Sequence, residues 1–202
     1  MFAIVEAAGW PIWLLIVTSV IAVTLIAERF MFLRTNNVTP AGLLNEVVAE
    51  LKQHGVNEDL LSRLSESSPL GRLFANGLKN INSTPEVMKE SIEEAGRAIS
   101  HELERFLTTL GTIASISPLL GLFGTIVGMI EIFGSQNAAG SNPAALAHGI
   151  SVALYNTALG LIVAVPSMIF YRHFRAKVDS LIVEMEQQAI KLVEIVHGER
   201  RG

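Results

Sequence analysis

Long runs without charged side chains dominate the pattern of polar and apolar positions along this chain. Ala7–Ala27, Phe106–Ile130 and Ile132–Tyr171 contain no Asp, Glu, Lys or Arg. A helix needs about 20 mainly apolar residues to cross the roughly 30 Å hydrocarbon layer of a membrane. The first two runs each fit one crossing, and the third fits one crossing after its polar front end, Gly134–Pro143. The pattern therefore predicts three transmembrane helices.

Amphipathic segments adjoin two of these crossings. Apolar residues recur every three or four positions from Met88 to Leu110 and again from Val178 to Val196, which is the periodicity of a helix with one apolar face. No stop signal follows Pro85 before the second crossing, so we expect one long helix from Pro85 into the membrane. A second long helix is expected to continue beyond the third crossing. The two apolar stripes could pack against each other within one subunit or against neighbouring subunits.

Capping signals predict further short helices between the first and second crossings. A polar N-cap residue before a proline, or before Glu at the third helical position, typically starts a helix. The start signals are Thr39-Pro40, Asn57, Ser68-Pro69 and Ser83 with Glu86, and Gly55 supplies a stop.

The predicted fold is all-α, with three transmembrane helices and a small helical cytoplasmic domain. Its predicted segments are an outer N-terminus with the first crossing (1–34), the cytoplasmic helical domain (35–105), the second crossing (106–133), an outer loop (134–147), the third crossing (148–172) and a cytoplasmic C-terminal helix (173–202).

Composition supports a membrane protein. Half of the 202 residues are hydrophobic and only 17% are charged, whereas soluble domains carry about 25% charged residues. A chain of this length cannot enclose three such helices in a soluble core. Because the chain has no cysteine, disulfides and thiolate metal sites are excluded. The N-terminus lacks a basic region, so the first apolar run is expected to remain as a helix and not to act as a cleaved signal peptide.

Charge predicts the orientation. All 15 Lys and Arg residues lie either between Arg29 and Arg105 or between Arg172 and Arg201. The positive-inside rule places such regions in the cytoplasm. The N-terminus and the loop 134–147 are therefore expected outside.

Small residues line both later crossings. Gly121, Gly124 and Gly128 in the second crossing, with Ala153 and Gly160 in the third, are predicted packing residues because small side chains let membrane helices approach closely. Close contacts of this kind could also close a ring of subunits around a lumen.

Four polar residues within these crossings are candidates for a proton pathway: Thr125, Thr157, Asn156 and Ser117. Each threonine hydroxyl could line the lumen, or could simply bond to the carbonyl four residues earlier on its own helix. An amide in hydrocarbon needs partners, so Asn156 should face another helix or the lumen. No carboxylate, Lys or His lies at mid-depth, so a partner subunit is expected to supply any titrating group.

Two prolines and one carboxylate complete the candidates. Pro118 and Pro166 each remove a helical hydrogen bond and are expected to kink their helices, with or without a role at the mouth of a lumen. Glu131, near the outer end of the second crossing, is either an exposed interfacial carboxylate or a group that gathers protons at the outer mouth. His148 has a similar position.

The two later crossings carry a family resemblance. IASISPLLGLFGTIVGMIEIF (Ile113–Phe133) and GISVALYNTALGLIVAVPSMIFYRHF (Gly149–Phe174) resemble the ExbB/TolQ branch of the MotA/TolQ/ExbB proton-channel family. The resemblance implies a homopentamer in the Gram-negative inner membrane around the single helices of two ExbD- or TolR-like partners. Such a complex uses the proton motive force to energise a TonB- or TolA-like protein, and an aspartate of the partner helix carries the proton.

By position in the family motifs, Thr125 and Thr157 match the threonines beside the partner's aspartate. One departure is Val152, because ExbB and TolQ proteins carry a glutamate five residues before the second threonine. Either this carboxylate is dispensable here, or Glu131 compensates from another height.

Three functions remain open. The first is an ExbB-like proton-channel subunit energising TonB-dependent transport, the second a TolQ-like subunit of the Tol-Pal system, and the third a non-conducting membrane scaffold. An enzyme is not expected, because the sequence offers no nucleophile–base pair, metal site or cofactor loop. Membrane lipid is an expected contact, whereas no cofactor and no nucleic-acid partner are expected.

Overall fold

The computed structural model describes residues 9–134 and 143–198, and every regular element in these two stretches is helical. The helices are α1 (Pro11–Phe32), α2 (Thr35–Val38), α3 (Leu43–His54), α4 (Glu58–Ser67), α5 (Pro69–Leu78), α6 (Pro85–Leu103), α7 (Leu107–Gly134) and α8 (Pro143–Val196). The all-α class predicted from the sequence is confirmed for the described part of the chain.

Three helical stretches are long and apolar enough to cross a membrane, within the part that the structure describes. They are Pro11–Phe32, Pro85–Gly134 and Gly149–Val196, so the described chain has as many membrane-compatible helices, by length and composition, as the sequence predicts. The third helix starts earlier than expected: α8 begins at Pro143, inside the segment 134–147 that was predicted to be a loop.

The chain divides into two compact units. The first, here called the apolar unit, consists of Met1–Glu28 and Phe106–His173, and the second, the charged unit, of Arg29–Arg105 and Phe174–Gly202. Within the apolar unit, α1 buries Ile12, Leu15 and Ala22. Trp10, which directly precedes α1, meets Phe123 of α7 edge to face, with ring centroids 5.9 Å apart.

Local capping explains most helix starts in the charged unit. The Asn57 side chain accepts a hydrogen bond from the Leu60 backbone N–H at 2.7 Å, and the Ser68 hydroxyl accepts one from Gly71 N–H at 3.0 Å. Both predicted caps are confirmed, and Gly55 ends α3 as expected.

Two predicted helix starts were wrong. Thr39 ends the short α2, since its N–H donates to Thr35 O, and α3 begins after Gly42, which has a φ of 86°. The cap of α6 is Thr84 and not Ser83. At this helix start, hydrogen bonds from a backbone N–H and from the Thr84 hydroxyl lower the pKa of Glu86, because both stabilise its ionised form.

The apolar stripes of the charged unit are buried within one chain. Among the residues of these two stripes, the buried ones on α6 and α8 are Met88, Ile92, Ile99, Leu103, Val178, Leu181, Met185, Ala189 and Leu192. Of the two arrangements left open by the sequence, burial inside a single subunit is the one observed.

The prediction of one uninterrupted helix from Pro85 into the second crossing was wrong. α6 ends at Leu103 and α7 begins at Leu107, because Phe106 has a φ of 64°, which an α-helix cannot contain. The Leu103 carbonyl at this end of α6 accepts a hydrogen bond from Arg29 Nη1 at 3.2 Å. The Arg29 guanidinium, which is buried, also lies over the Phe32 ring. An arginine from α1 thus satisfies a carbonyl that the break would otherwise leave open.

Candidate functional site

Helices α7 and α8 approach each other along the predicted small residues. A Cβ added to Gly121 would lie 2.7 Å from the Asn156 carbonyl oxygen, and one added to Gly160 would lie 2.6 Å from the Ser117 carbonyl oxygen. At Gly128 the added Cβ would lie 3.2 Å from the Cβ of Ala153. The absence of side chains therefore lets the two backbones come into direct contact.

This close contact brings Thr125 and Thr157 together. Their Oγ1 atoms are 2.5 Å apart, at the short end of the range for hydrogen-bonded hydroxyls. Thr125 Oγ1 also lies 3.0 Å from the Ala153 carbonyl oxygen and 3.2 Å from that of Gly121. Thr157 Oγ1 lies 3.4 Å from the Gly121 oxygen. Each hydroxyl thus lies near a carbonyl of the opposite helix. Thr125 reaches Ala153 O, four residues before Thr157, and Thr157 reaches Gly121 O, four residues before Thr125.

The pair has two protons and more than one way to arrange them. In one order, Thr157 donates to Thr125, and Thr125 donates to Ala153 O. In the other order, Thr125 donates to Thr157, and Thr157 donates to Gly121 O. Because a hydroxyl both donates and accepts, the pair can reverse its direction without any change of charge. Both threonines are half-buried, so the cluster lies at the edge of the helix contact.

Two of the candidates for the proton pathway, Asn156 and Ser117, are buried within the chain. Asn156 is 1% exposed and Ser117 is fully buried, and both lie where α7 and α8 approach, since the Asn156 side chain lies against Gly124 and the Ser117 carbonyl lies against Gly160. The Ser117 hydroxyl donates to the Ile113 carbonyl at 2.7 Å. Asn156 packs against Gly124, where an added Cβ would lie 2.8 Å from its Cβ and Cγ. In the described chain these two side chains belong to the helix contact and not to an open surface.

Both prolines lie inside their helices, and a serine hydroxyl accompanies each one. Pro118 lies within α7 and Pro166 within α8. Ser117 precedes the first proline, and Ser167 follows the second with its hydroxyl donating to the Val163 carbonyl at 2.7 Å. Ser167 is buried and was missed by the sequence analysis, although a serine in an otherwise apolar run is a visible signal.

Glu131 and Val152 do not join the hydroxyl cluster. Glu131 is exposed near the end of α7, and Val152 is half-buried. The His148 side chain lies outside the described part of the structure.

Each threonine hydroxyl also has an acceptor on the opposite helix, whereas the sequence suggested only the carbonyl four residues earlier on the same helix. Gly121 and Ala153 were predicted as packing residues, yet their carbonyl oxygens accept from the threonine hydroxyls. Every residue has a backbone carbonyl, so residue type carries no signal for this role.

Comparison with known proteins gives the family. Residues 65–187 match the MotA/TolQ/ExbB proton channel family. An ExbB-like biopolymer transport protein of Synechocystis sp. is 32% identical over 78% of this chain and 77% of the relative. The biopolymer transport protein exbB1 of Vibrio cholerae is 32% identical over 81% of this chain and 74% of the relative.

The similarity extends to a second named group. The Tol-Pal system protein TolQ of Pseudomonas aeruginosa is 29% identical over 98% of this chain and 92% of the relative. With its three membrane-compatible helices and its paired threonines, the chain belongs to the MotA/TolQ/ExbB proton channel family, with ExbB-like proteins among its relatives.

Proposed function

We propose that this chain is an ExbB-like subunit of a proton channel and that it lines the path of a proton carried by a partner. The observation that supports the proposal is the hydroxyl pair of Thr125 and Thr157, whose oxygens are 2.5 Å apart. Neither Phe106–Ile130 nor Gly149–Tyr171 contains Asp, Glu, Lys, Arg or His. The titrating group therefore comes from the partner, a single-span ExbD-like subunit.

The hydroxyl pair suits both charge states of a carboxylate. An ionised carboxylate only accepts hydrogen bonds, whereas a protonated one also donates. In either order one hydroxyl donates to a backbone carbonyl, and it can turn that proton to an ionised carboxylate instead, while the lone pairs of both hydroxyl oxygens can accept from a protonated one. In the assembled complex, five copies of the chain surround two partner helices, and proton flow drives movement that a TonB-like protein transmits to the outer membrane.

The test removes the hydroxyl groups of the two threonines and keeps the shape of their side chains. Thr125→Val and Thr157→Val are expressed with the ExbD-like partner, and proton flux is measured in proteoliposomes together with TonB-dependent growth. Losing a hydrogen bond to a charged group costs about 1.5–3 kcal/mol, so flux should fall about 10- to 100-fold. Thr125→Ser, which keeps the hydroxyl, should retain most of the flux.

A matched control is available in α1. Thr18 is half-buried like the two site threonines, and its hydroxyl bonds to its own helix at Leu14 O and Leu15 O, so Thr18→Val should leave flux unchanged. Wild-type flux in the Thr125→Val/Thr157→Val double variant would refute the proposed site. If flux also persists after the partner's aspartate is neutralised, the partner does not carry the proton. No flux in the unmodified complex would favour a non-conducting scaffold.

A TolQ-like role is a second candidate, because the similarity to the Pseudomonas aeruginosa TolQ covers nearly the whole chain. The two roles differ in the system that is energised. Expression with the cognate partner in hosts that lack either ExbB or TolQ separates them. Restored TonB-dependent growth supports the first role, and restored resistance to detergent supports the second.

A further inference from the structure

A buried amide lies between α7 and α8, next to the hydroxyl pair. Asn156 is 1% exposed, although an amide is costly to place in an apolar environment. Along the same side of α8, the neighbouring contact residues Gly149, Ala153 and Gly160 are small. Asn156 is the larger side chain among them, so it requires a matching space on α7.

Two glycines one turn apart provide that space. A Cβ on Gly124 would lie 2.8 Å from the Asn156 Cβ and Cγ and 3.0 Å from Nδ2. A Cβ on Gly121 would lie 2.7 Å from the Asn156 carbonyl oxygen. The space between Gly121 and Gly124, here called the glycine notch, thus receives both the side chain and the backbone of Asn156.

The notch is adjacent in sequence to the hydroxyl pair. Thr125 follows Gly124, and Thr157 follows Asn156. A stripe of small residues on each helix fixes the register weakly, because a shift by one turn places small residues opposite small residues again. A single buried polar side chain can fix such a register, as one asparagine does in a coiled coil. In a membrane, polar contacts between helices also stabilise their association.

We propose that Asn156, seated in the glycine notch, is a positioning residue that fixes the register of α7 against α8 and so holds Thr157 at Thr125. Its effect on transport rests on the proposed function. The register itself does not, and can be measured separately.

The experiment uses the absence of native cysteines. In Gly128→Cys/Ala153→Cys, the new Cβ atoms start about 3.2 Å apart, close to the roughly 3.5–4.5 Å of a disulfide. This pair reports the observed register in the full-length complex in membranes. Gly149 packs one turn away, against Ile132, so Gly128→Cys/Gly149→Cys reports a register shifted by one turn.

Asn156→Leu keeps a side chain of similar size without the amide, and Gly124→Ala fills the notch. Each should lower the crosslinking rate of the first pair by about tenfold, equivalent to about 1.4 kcal/mol, and raise that of the shifted pair. Proton flux should fall in parallel although both threonines remain. The matched control is Gly134→Ala, since a Cβ at Gly134 meets nothing within 4 Å.

The outcomes are distinct. Unchanged crosslinking of the first pair in Asn156→Leu would overturn the proposal, whatever happens to flux. Loss of both crosslinks would indicate unfolding and would also overturn it. A shifted register with unchanged flux would remove the role of Asn156 in transport. Wild-type flux in the threonine double variant would instead refute the proposed function and leave the register result standing.

Discussion

Gly121 contributes to the hydroxyl cluster through its carbonyl oxygen and through the side chain that it lacks. Its oxygen lies within reach of both threonine hydroxyls, and its Cα lies against the backbone of Asn156 and Thr157. Gly160 takes the corresponding place on α8, against the Ser117 carbonyl. Any added methyl group at these two positions meets backbone, which cannot rotate away as a side chain can.

We therefore expect Gly121→Ala and Gly160→Ala to destabilise the protein. Overpacking of a close contact costs about 1–3 kcal/mol, which should be measurable as a lower midpoint of thermal unfolding in detergent. Gly134→Ala is the control, because its Cβ would enter open space. Equal midpoints for all three variants would show that the close approach of α7 and α8 contributes nothing to stability.

The residues of the site were more predictable than their orientations. Spacing and residue type suggested Thr125, Thr157 and the glycines, since few polar or very small residues interrupt the apolar runs. Asn156 was expected to face either another helix or a lumen, and it lies in the contact between α7 and α8, whereas the buried Ser117 bonds to its own helix. The rotation of each helix about its axis is set by side-chain packing between helices, which a linear pattern does not contain.

At the scale of elements, the break between α6 and α7 departs most from the sequence pattern. Neither glycine nor proline occurs at Glu104–Phe106, and the apolar stripe continues across these residues. Phe106 nevertheless has a φ of 64°, a conformation that costs an L-residue about 1–2 kcal/mol. The surrounding packing must compensate for this cost, and the bond from Arg29 to the Leu103 carbonyl is one contribution.

Two substitutions at Phe106 test the break, because both remove the ring and differ only in backbone preference. Inside an ordinary helix, Gly is about 1 kcal/mol less favourable than Ala. At a position with positive φ the order reverses, so Phe106→Gly should be about 1 kcal/mol more stable than Phe106→Ala. Chemical unfolding in detergent measures the difference.

Ala98, exposed within α6, supplies the control, since Ala98→Gly should destabilise by about 1 kcal/mol. A Phe106→Ala variant more stable than Phe106→Gly would mean that the helix is continuous.

Unlike this break, the caps Asn57 and Ser68 could be recognised from the sequence, because their interactions are local. The break depends on contacts distant in sequence, which explains why the pattern missed it.

At the scale of the whole molecule, the three crossings were predictable because charge is excluded from long runs. The burial of the two apolar stripes within one chain could not be predicted, because the same stripes would also suit contacts between subunits. The predicted orientation in the membrane rests only on where the Lys and Arg residues lie. All Lys and Arg residues lie from Arg29 to Arg105 or from Arg172 to Arg201, and none lies in 134–147.

We expect the charged unit in the cytoplasm and the segment 134–147 outside, because positive charge resists translocation. Single cysteines in the cysteine-free chain test this with a membrane-impermeant maleimide on spheroplasts. Ser141→Cys should react in intact spheroplasts, whereas Ser62→Cys, exposed in α4, should react only after permeabilisation. Val178→Cys is the control for burial, since Val178 is buried and should stay unreactive in folded protein. Labelling of Ser62→Cys but not Ser141→Cys in intact spheroplasts would contradict this orientation and place the charged unit outside.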